Sequence, residues 1–291
     1  MIVEIATIIG PILAIAAIGF SWRRLGGEFD PAFVARLVTT IGVPFLVFST
    51  LTRLELDGAT LTRMAGAALA CLLGFTLVAA VALKLAKLPL RGFLNPMVFP
   101  NAGNMGLPLC LFAFGPEGLA LAVVYFVVFT IAHLTLGISL LMGSLSLGNL
   151  ARMPVLYALA ASIAFMATGV QPPRWLASTA RLLGDMTIPL MLMALGVSLS
   201  ALKAKSMRLA AGLAGLRLGI GLAVGLGVAW AFGLEGHSRG VVVLESAMPV
   251  AVFNYLFAQR WNQAPGEVAG AVLVSTLASF ALLPVLLAFL L

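Results

Sequence analysis

FPNAGNMGLPLCLFAF, residues Phe99–Phe114, is apolar enough to lie in a membrane but is written against a continuous helix. Pro100, Asn101, Gly103, Asn104, Gly106 and Pro108 crowd its first ten residues. A proline inside a helix removes one backbone donor and blocks the carbonyl a turn earlier. In lipid, groups freed in this way cost several kcal/mol each unless protein or water satisfies them. Two asparagine amides facing lipid would be equally out of place. The stretch therefore predicts a spanning helix that is interrupted, with the interruption turned toward protein or a cavity.

The rest of the chain agrees with a membrane setting. Of its 291 residues 62% are hydrophobic and only 9% charged. A soluble domain carries about 25% charged residues, so the composition predicts an all-α integral membrane protein. The net charge of +7 is spread over loops without a cluster, which excludes a nucleic-acid surface and fits a topology signal. Cys71 and Cys110 both fall inside apolar runs and read as packing residues. The N-terminal run has no basic residue before Arg23 and Arg24, which predicts a first spanning helix and not a cleaved signal.

Apolar runs predict ten transmembrane helices, near 3–22, 31–51, 64–84, 92–114, 117–142, 154–170, 176–200, 207–232, 239–258 and 266–290. Taken by alternate loops, Arg23, Arg24, Lys84, Lys87, Arg91, Arg152, Lys203, Lys205, Arg208 and Arg260 share one side. Only Arg53, Arg63, Arg174 and Arg239 occupy the other. The more basic side faces the cytoplasm, so both termini are expected outside a multi-pass protein of the cell inner membrane.

Two halves are faintly alike. RLVTTIGVPFLVFSTL from Arg36 and RLLGDMTIPLMLMALG from Arg181 open alike and reach Pro44 and Pro189 at the same distance. Glu117 and Glu267 each follow a Pro/Gly turn before the last helix of a half. Five helices is an odd number, so the second half, 154–291, must sit inverted relative to the first, 1–142. Such 5+5 inverted repeats mark secondary transporters. Aligned on Pro108 and Pro249, NMGLPLCLF matches ESAMPVAVF, setting Asn104 opposite Glu245. Interrupted helices at matching places point to a transport site, and their second halves, expected to open near Gly106 and Met248, would offer free N–H groups to an anion. Pro44 and Pro189, with fewer polar neighbours, read as ordinary kinks.

The segments NAGNMGLPL (Asn101–Leu109) and AMPVAVFNYLFA (Ala247–Ala258) resemble the auxin efflux carrier family, whose bacterial members include malonate and malate carriers. The resemblance covers essentially the whole chain. It implies broken helices 4 and 9 that cross at their breaks. It also implies a scaffold of helices 1, 2, 6 and 7, often forming a homodimer, and a moving transport domain of helices 3–5 and 8–10. Asn101, Asn104, Gly106, Pro108, Pro249 and Asn254 would then lie at or near a small carboxylate substrate. Residues 143–153 make a short loop where plant carriers have a long hydrophilic one, so regulation through such a loop is not expected. The related bile-acid sodium symporters use a helix-nine glutamate as a sodium ligand. Glu245 resembles it, while the glutamine expected four positions later is Pro249.

Charged residues inside the apolar runs each carry two readings. Glu245 is a candidate for proton or sodium coupling, or an interfacial glutamate that pairs with Arg239 or caps its own helix. Asp185 reads first as an ion pair with Arg181 one turn earlier, and second as a coupling site. Arg217 sits near mid-depth and either contacts the substrate carboxylate or pairs with a buried acid such as Glu245. His133 stands alone in FTIAHLTLG and reads as hydrogen-bonded to a neighbouring helix. Gly215, Gly219, Gly221 and Gly225 predict close helix packing.

The sequence thus predicts a secondary transporter for a small organic anion, working by alternating access with coupling to protons, to sodium or to neither. An intramembrane enzyme would need a nucleophile–base pair, a metal constellation or paired aspartates. No such motif, cofactor site or metal site is read here. A passive channel would not need two matched breaks.

Overall fold

The computed structural model describes residues 2–54, 57–144 and 150–291. The expected short loop 143–153 therefore lies partly outside the described residues. Nearly every described residue is helical, and the one β-bridge among them joins Pro100 to Val250. Seven helical stretches are long and apolar enough to cross a membrane.

The chain opens with α1 (Ile2–Arg24), followed by α2 (Pro31–Leu37), a π segment at Val38–Gly42 and α3 (Val43–Arg53). Next come α4 (Gly58–Leu85) and α5 (Leu90–Val98). A second π segment at Ala102–Gly106 leads into α6 (Leu107–Ala132), and a third at His133–Gly137 into α7 (Ile138–Met142). The second half contains α8 (Pro154–Thr168), α9 (Arg174–Asp185), α10 (Thr187–Ala201), α11 (Met207–Ala231), α12 (Gly236–Ser246), α13 (Val252–Arg260) and α14 (Pro265–Leu290).

Three of the predicted spans are not matched by a continuous long apolar helical stretch of their own. Those near 92–114 and 239–258 are broken, and the one near 154–170 is the 15-residue α8. Two predicted spans run into one 41-residue stretch, Ala102–Met142. Gly115, at φ 65° and ψ −160°, interrupts helical geometry inside it. Helix α4 begins earlier than its apolar run suggested. Asp57 caps it by accepting the Thr60 N–H at 2.5 Å, so a polar first turn is still helical. That bond also holds the Asp57 carboxyl below its usual range.

The π segments have a local cause at two of their three positions. Pro44 and Pro108 each follow one within two residues. With no N–H on the proline, the preceding turn widens and its carbonyls re-pair at longer spacing. Pro189 acts differently: the helix stops at Met186 and restarts as α10.

Packing separates into two sets of neighbours. Helix α1 lies along α10, and α3 lies between α8 and α9. The closest backbone approach of the first pair is at Gly196, where a Cβ would fall 1.9 Å from the Ala16 carbonyl. In the other set α4 packs on α5, α6 and α11, while α11 packs on α12 and α14. Gly221 and Gly225 meet Ser246 of α12, whereas Gly215 and Gly219 face open space, so the predicted glycine packing holds for one pair and not the other.

Candidate functional site

The two chain breaks pair with each other. Between α5 and the π segment, Phe99–Asn101 is not helical, and between α12 and α13 residues 247–251 are not helical. The Asn101 N–H donates to the Pro249 carbonyl at 2.8 Å, and the Ala251 N–H donates to the Phe99 carbonyl at 3.3 Å. Asn254, 2% exposed, donates from Nδ2 to the same Phe99 carbonyl at 3.0 Å. The Val250 N–H is taken by Ser275 Oγ at 3.1 Å. Groups that prolines and breaks would leave bare in lipid are thus satisfied from across the pair.

Arg217 holds the other side of this junction. It is 0% exposed, and its guanidinium donates to Met97 O at 2.8 Å, Ser246 O at 2.7 Å and Met248 O at 3.3 Å. Met97 and Ser246 end α5 and α12, so one cation sits at two helix C-termini, where the dipole and unpaired carbonyls favour positive charge. Its guanidinium carbon also lies 4.7 Å from the centre of the Phe75 ring. Arg217 makes no ion pair with Glu245 among the described residues, and it does not line the cavity described next.

A cavity of about 80 Å³ opens beside the breaks. Asn101, Ala102, Gly103 and Asn104 form one wall, with Thr39, Thr130 and His133 adding polar groups and Phe99, Phe126, Phe129, Phe253 and Phe257 adding rings. A smaller cavity of about 30 Å³ continues from it past Asn104, toward Ser198 and Pro31. Asn101 Nδ2 is buried without a partner. The N–H groups of Ala102, Gly103 and Asn104 open a helix and have no preceding turn to bond. An unsatisfied buried donor normally costs about 1–3 kcal/mol, and Asn101 Nδ2 is one on this wall. Among the described residues no lysine, arginine, aspartate or glutamate lines it. A larger cleft of about 790 Å³ lies between α3, α8, α4 and α6, lined mainly by aliphatic residues together with Thr52, Thr62 and Gln171. The cavity beside the breaks is the candidate site because an unpartnered amide nitrogen lies on a residue of its wall.

Glu245 occupies a different environment. It is 0% exposed and accepts a contact from Cys110 Sγ at 3.8 Å, while Oε2 has no partner. Gly106 makes room for it, since a Cβ there would fall 2.1 Å from Oε2. The neighbouring Ser246 Oγ lies 3.1 Å from Tyr125 OH and 3.5 Å from Cys71 Sγ. Both cysteines are free and buried. Arg239, the alternative partner of Glu245, instead lies over Phe289.

Of the residues singled out from sequence, Asn101 and Asn104 reach the cavity. Gly106 and Pro108 are buried behind them, Pro249 and Asn254 bind the first break, and Arg217 binds helix ends. The second half-helix opens at Val252 and not at Met248, which lies in the break. Asp185 is well exposed on α9, with its oxygen 3.4 Å from Arg181, remote from the cavity wall. The ring residues, Thr39, Thr130 and His133 were not identified as lining. They come from the first π segment, the first break, α6, the third π segment and α13, and only the helical spacing of Phe126, Phe129, Thr130 and His133 carried a local signal.

The family described as membrane transport protein matches residues 141–287 of this chain. An uncharacterized transporter of Methanothermobacter thermautotrophicus is 27% identical over 292 aligned residues, which cover 94% of each chain. These matches point to a membrane transport role and not to an enzymatic one. The chain belongs to the membrane transport protein family, the auxin efflux carrier family that its NAGNMGLPL segment resembles.

Proposed function

We propose that this protein is a secondary transporter that moves a small organic anion across the inner membrane by alternating access. The anion would be a dicarboxylate such as malonate or malate, or an auxin-like carboxylate. One observation carries the reading: Asn101 Nδ2, buried and unpartnered, shares a cavity with the opening turn of a half-helix at a paired chain break. Unbonded N–H groups and a positive dipole end suit a carboxylate without needing a cation in the wall.

In this reading the seven long helices, divided at Gly115 and supplemented by α5, α8 and the α12–α13 pair, make ten spans in a 5+5 inverted repeat. Helices α1, α2–α3, α8 and α9–α10 are the scaffold and the homodimer contact. Helices α4–α7 and α11–α14 move with the substrate. Both termini face outward. Glu245 carries the coupling proton. Sodium is the weaker choice because Pro249 offers no side-chain oxygen four residues on.

A thermal-shift screen of the purified protein tests this, using monocarboxylates, dicarboxylates and indole-3-acetate at two pH values, with and without sodium. Protection by a carboxylate supports the reading, and protection by none contradicts it. In proteoliposomes, Glu245→Gln should flatten the pH dependence of transport. An unchanged profile removes Glu245 as the proton carrier.

A further inference from the structure

The cavity beside Asn101 has a second polar pole that the anion site alone does not use. His133 is 9% exposed and lines the cavity where α6 gives way to its π segment. Its ring stacks on Phe99 with centroids 4.1 Å apart and an interplanar angle of 12°. It meets Phe257 edge-on at 5.0 Å. The two rings fix the imidazole plane, and Gly137 admits it, since a Cβ there would fall 2.8 Å from His133 Cδ2. Yet Nε2 has no hydrogen-bond partner.

A ring nitrogen held rigidly and left bare in a buried cavity is a costly arrangement for a residue that only packs. A phenylalanine would stack equally well and leave no polar atom unsatisfied. The cost is offset if a ligand supplies the partner. Asn254 of the neighbouring α13 is the polar side chain that approaches the imidazole, but its amide is oriented by the bond from Nδ2 to Phe99 O and its Oδ1 closes no hydrogen bond on Nε2. Nε2 donates in one tautomer and accepts in the other, so it can take a hydroxyl, a carboxyl oxygen or a ring N–H.

We propose that His133 is a substrate contact that sets specificity, with Nε2 hydrogen-bonding the polar group at the end of the anion opposite the carboxylate held at Asn101. This rests on the transporter reading above and adds to it a requirement for two polar ends joined by an apolar body. The rings that line the cavity, Phe99, Phe126 and Phe129 among them, take that body. A site built to hydrogen-bond a group rejects the analogue that lacks it far better than an apolar pocket rejects an added one.

Two matched probe pairs test the contact on the full chain in detergent: malonate with propionate, and indole-3-acetate with 1-naphthaleneacetate. Each pair differs mainly in the distal polar group. Affinity is measured by calorimetric titration for wild type, His133→Phe, His133→Leu and His133→Gln. In the pair that binds, wild type should prefer the polar member. His133→Phe and His133→Leu should weaken that member about tenfold while leaving the other unchanged. His133→Gln, which can place an amide nitrogen or oxygen near Nε2, should restore much of the difference. Melting of the unliganded variants checks folding, and the two apolar replacements guard against one of them misfolding. Equal losses for both members, or no loss for the polar one, would overturn the His133 contact alone. Failure of every probe to bind wild type would instead count against the anion site itself, and the contact would fall with it.

Discussion

Residues 90–114 and 236–260 both run helix, break, helix, yet the two stretches do different work. The first brings Asn101, Asn104 and the opening turn of a half-helix to a cavity wall. The second brings Ala251, Phe253 and Phe257 there, and none of its polar side chains is among the lining residues. Asn254 is spent on Phe99 O, and Glu245 is sealed against Gly106 and Cys110. The alignment that set Asn104 opposite Glu245 therefore pairs a residue at the cavity with one buried behind it. A matched backbone does not imply matched chemistry. In the proposed reading one arm presents groups to the anion, and the other braces the arm that does so.

Breaking the brace should produce the largest structural effect. Arg217→Met removes a buried charge but strands carbonyls at the ends of both α5 and α12. Each stranded carbonyl costs about 1–3 kcal/mol, so melting should fall by roughly 5–10 °C. Arg217→Lys should fall between the two, because one ammonium cannot reproduce the fork. An unchanged melting temperature for the methionine variant would show that the two arms do not depend on this clamp.

The contact between the arms at Gly106 sharpens the comparison on a smaller scale. Gly106→Ala forces the Glu245 carboxyl to move and should destabilise by about 1–3 kcal/mol. Combining it with Glu245→Ala should recover part of that loss, giving a coupling energy of about 1 kcal/mol by double-mutant cycle. Gly219→Ala, where nothing lies within 4 Å, is the control and should be neutral or stabilising by up to about 1 kcal/mol. Strict additivity at Gly106 and Glu245 would separate the arms energetically.

The smallest effect belongs outside both arms. Asp185→Asn should change stability by less than about 0.5 kcal/mol, because its pair with Arg181 is exposed. It should also leave carboxylate affinity unchanged. A lost affinity would place coupling chemistry on α9 and undo the division of labour between the arms.

Much of this was legible in the chain because prolines, glycines and amides announce where a helix cannot continue. The break at Phe99–Asn101 and its partner near Pro249 are punctuation that lipid would not tolerate without a purpose. Asp57 hid the true start of α4, since a capping carboxylate extends a helix beyond its apolar run. The role of Arg217 was out of reach for a different reason. Its partners are carbonyls of Met97, Ser246 and Met248, and a backbone atom leaves no trace in the side-chain alphabet. His133 was noted as solitary, but Phe99 and Phe257, which make it rigid, lie far away in sequence. Ion pairs between neighbouring turns, such as Arg181 with Asp185, are the easy case because the spacing alone specifies them.

The central claim is that the first arm holds the anion and the second does not. It is tested most directly by calorimetric titration of the best-protecting carboxylate into wild type, Asn104→Ala and Glu245→Ala, each checked for folding by its melting curve. The account predicts that Asn104→Ala abolishes binding while still folding, and that Glu245→Ala keeps affinity within about threefold, a difference of less than 1 kcal/mol. Binding by Asn104→Ala as tight as wild type would contradict it.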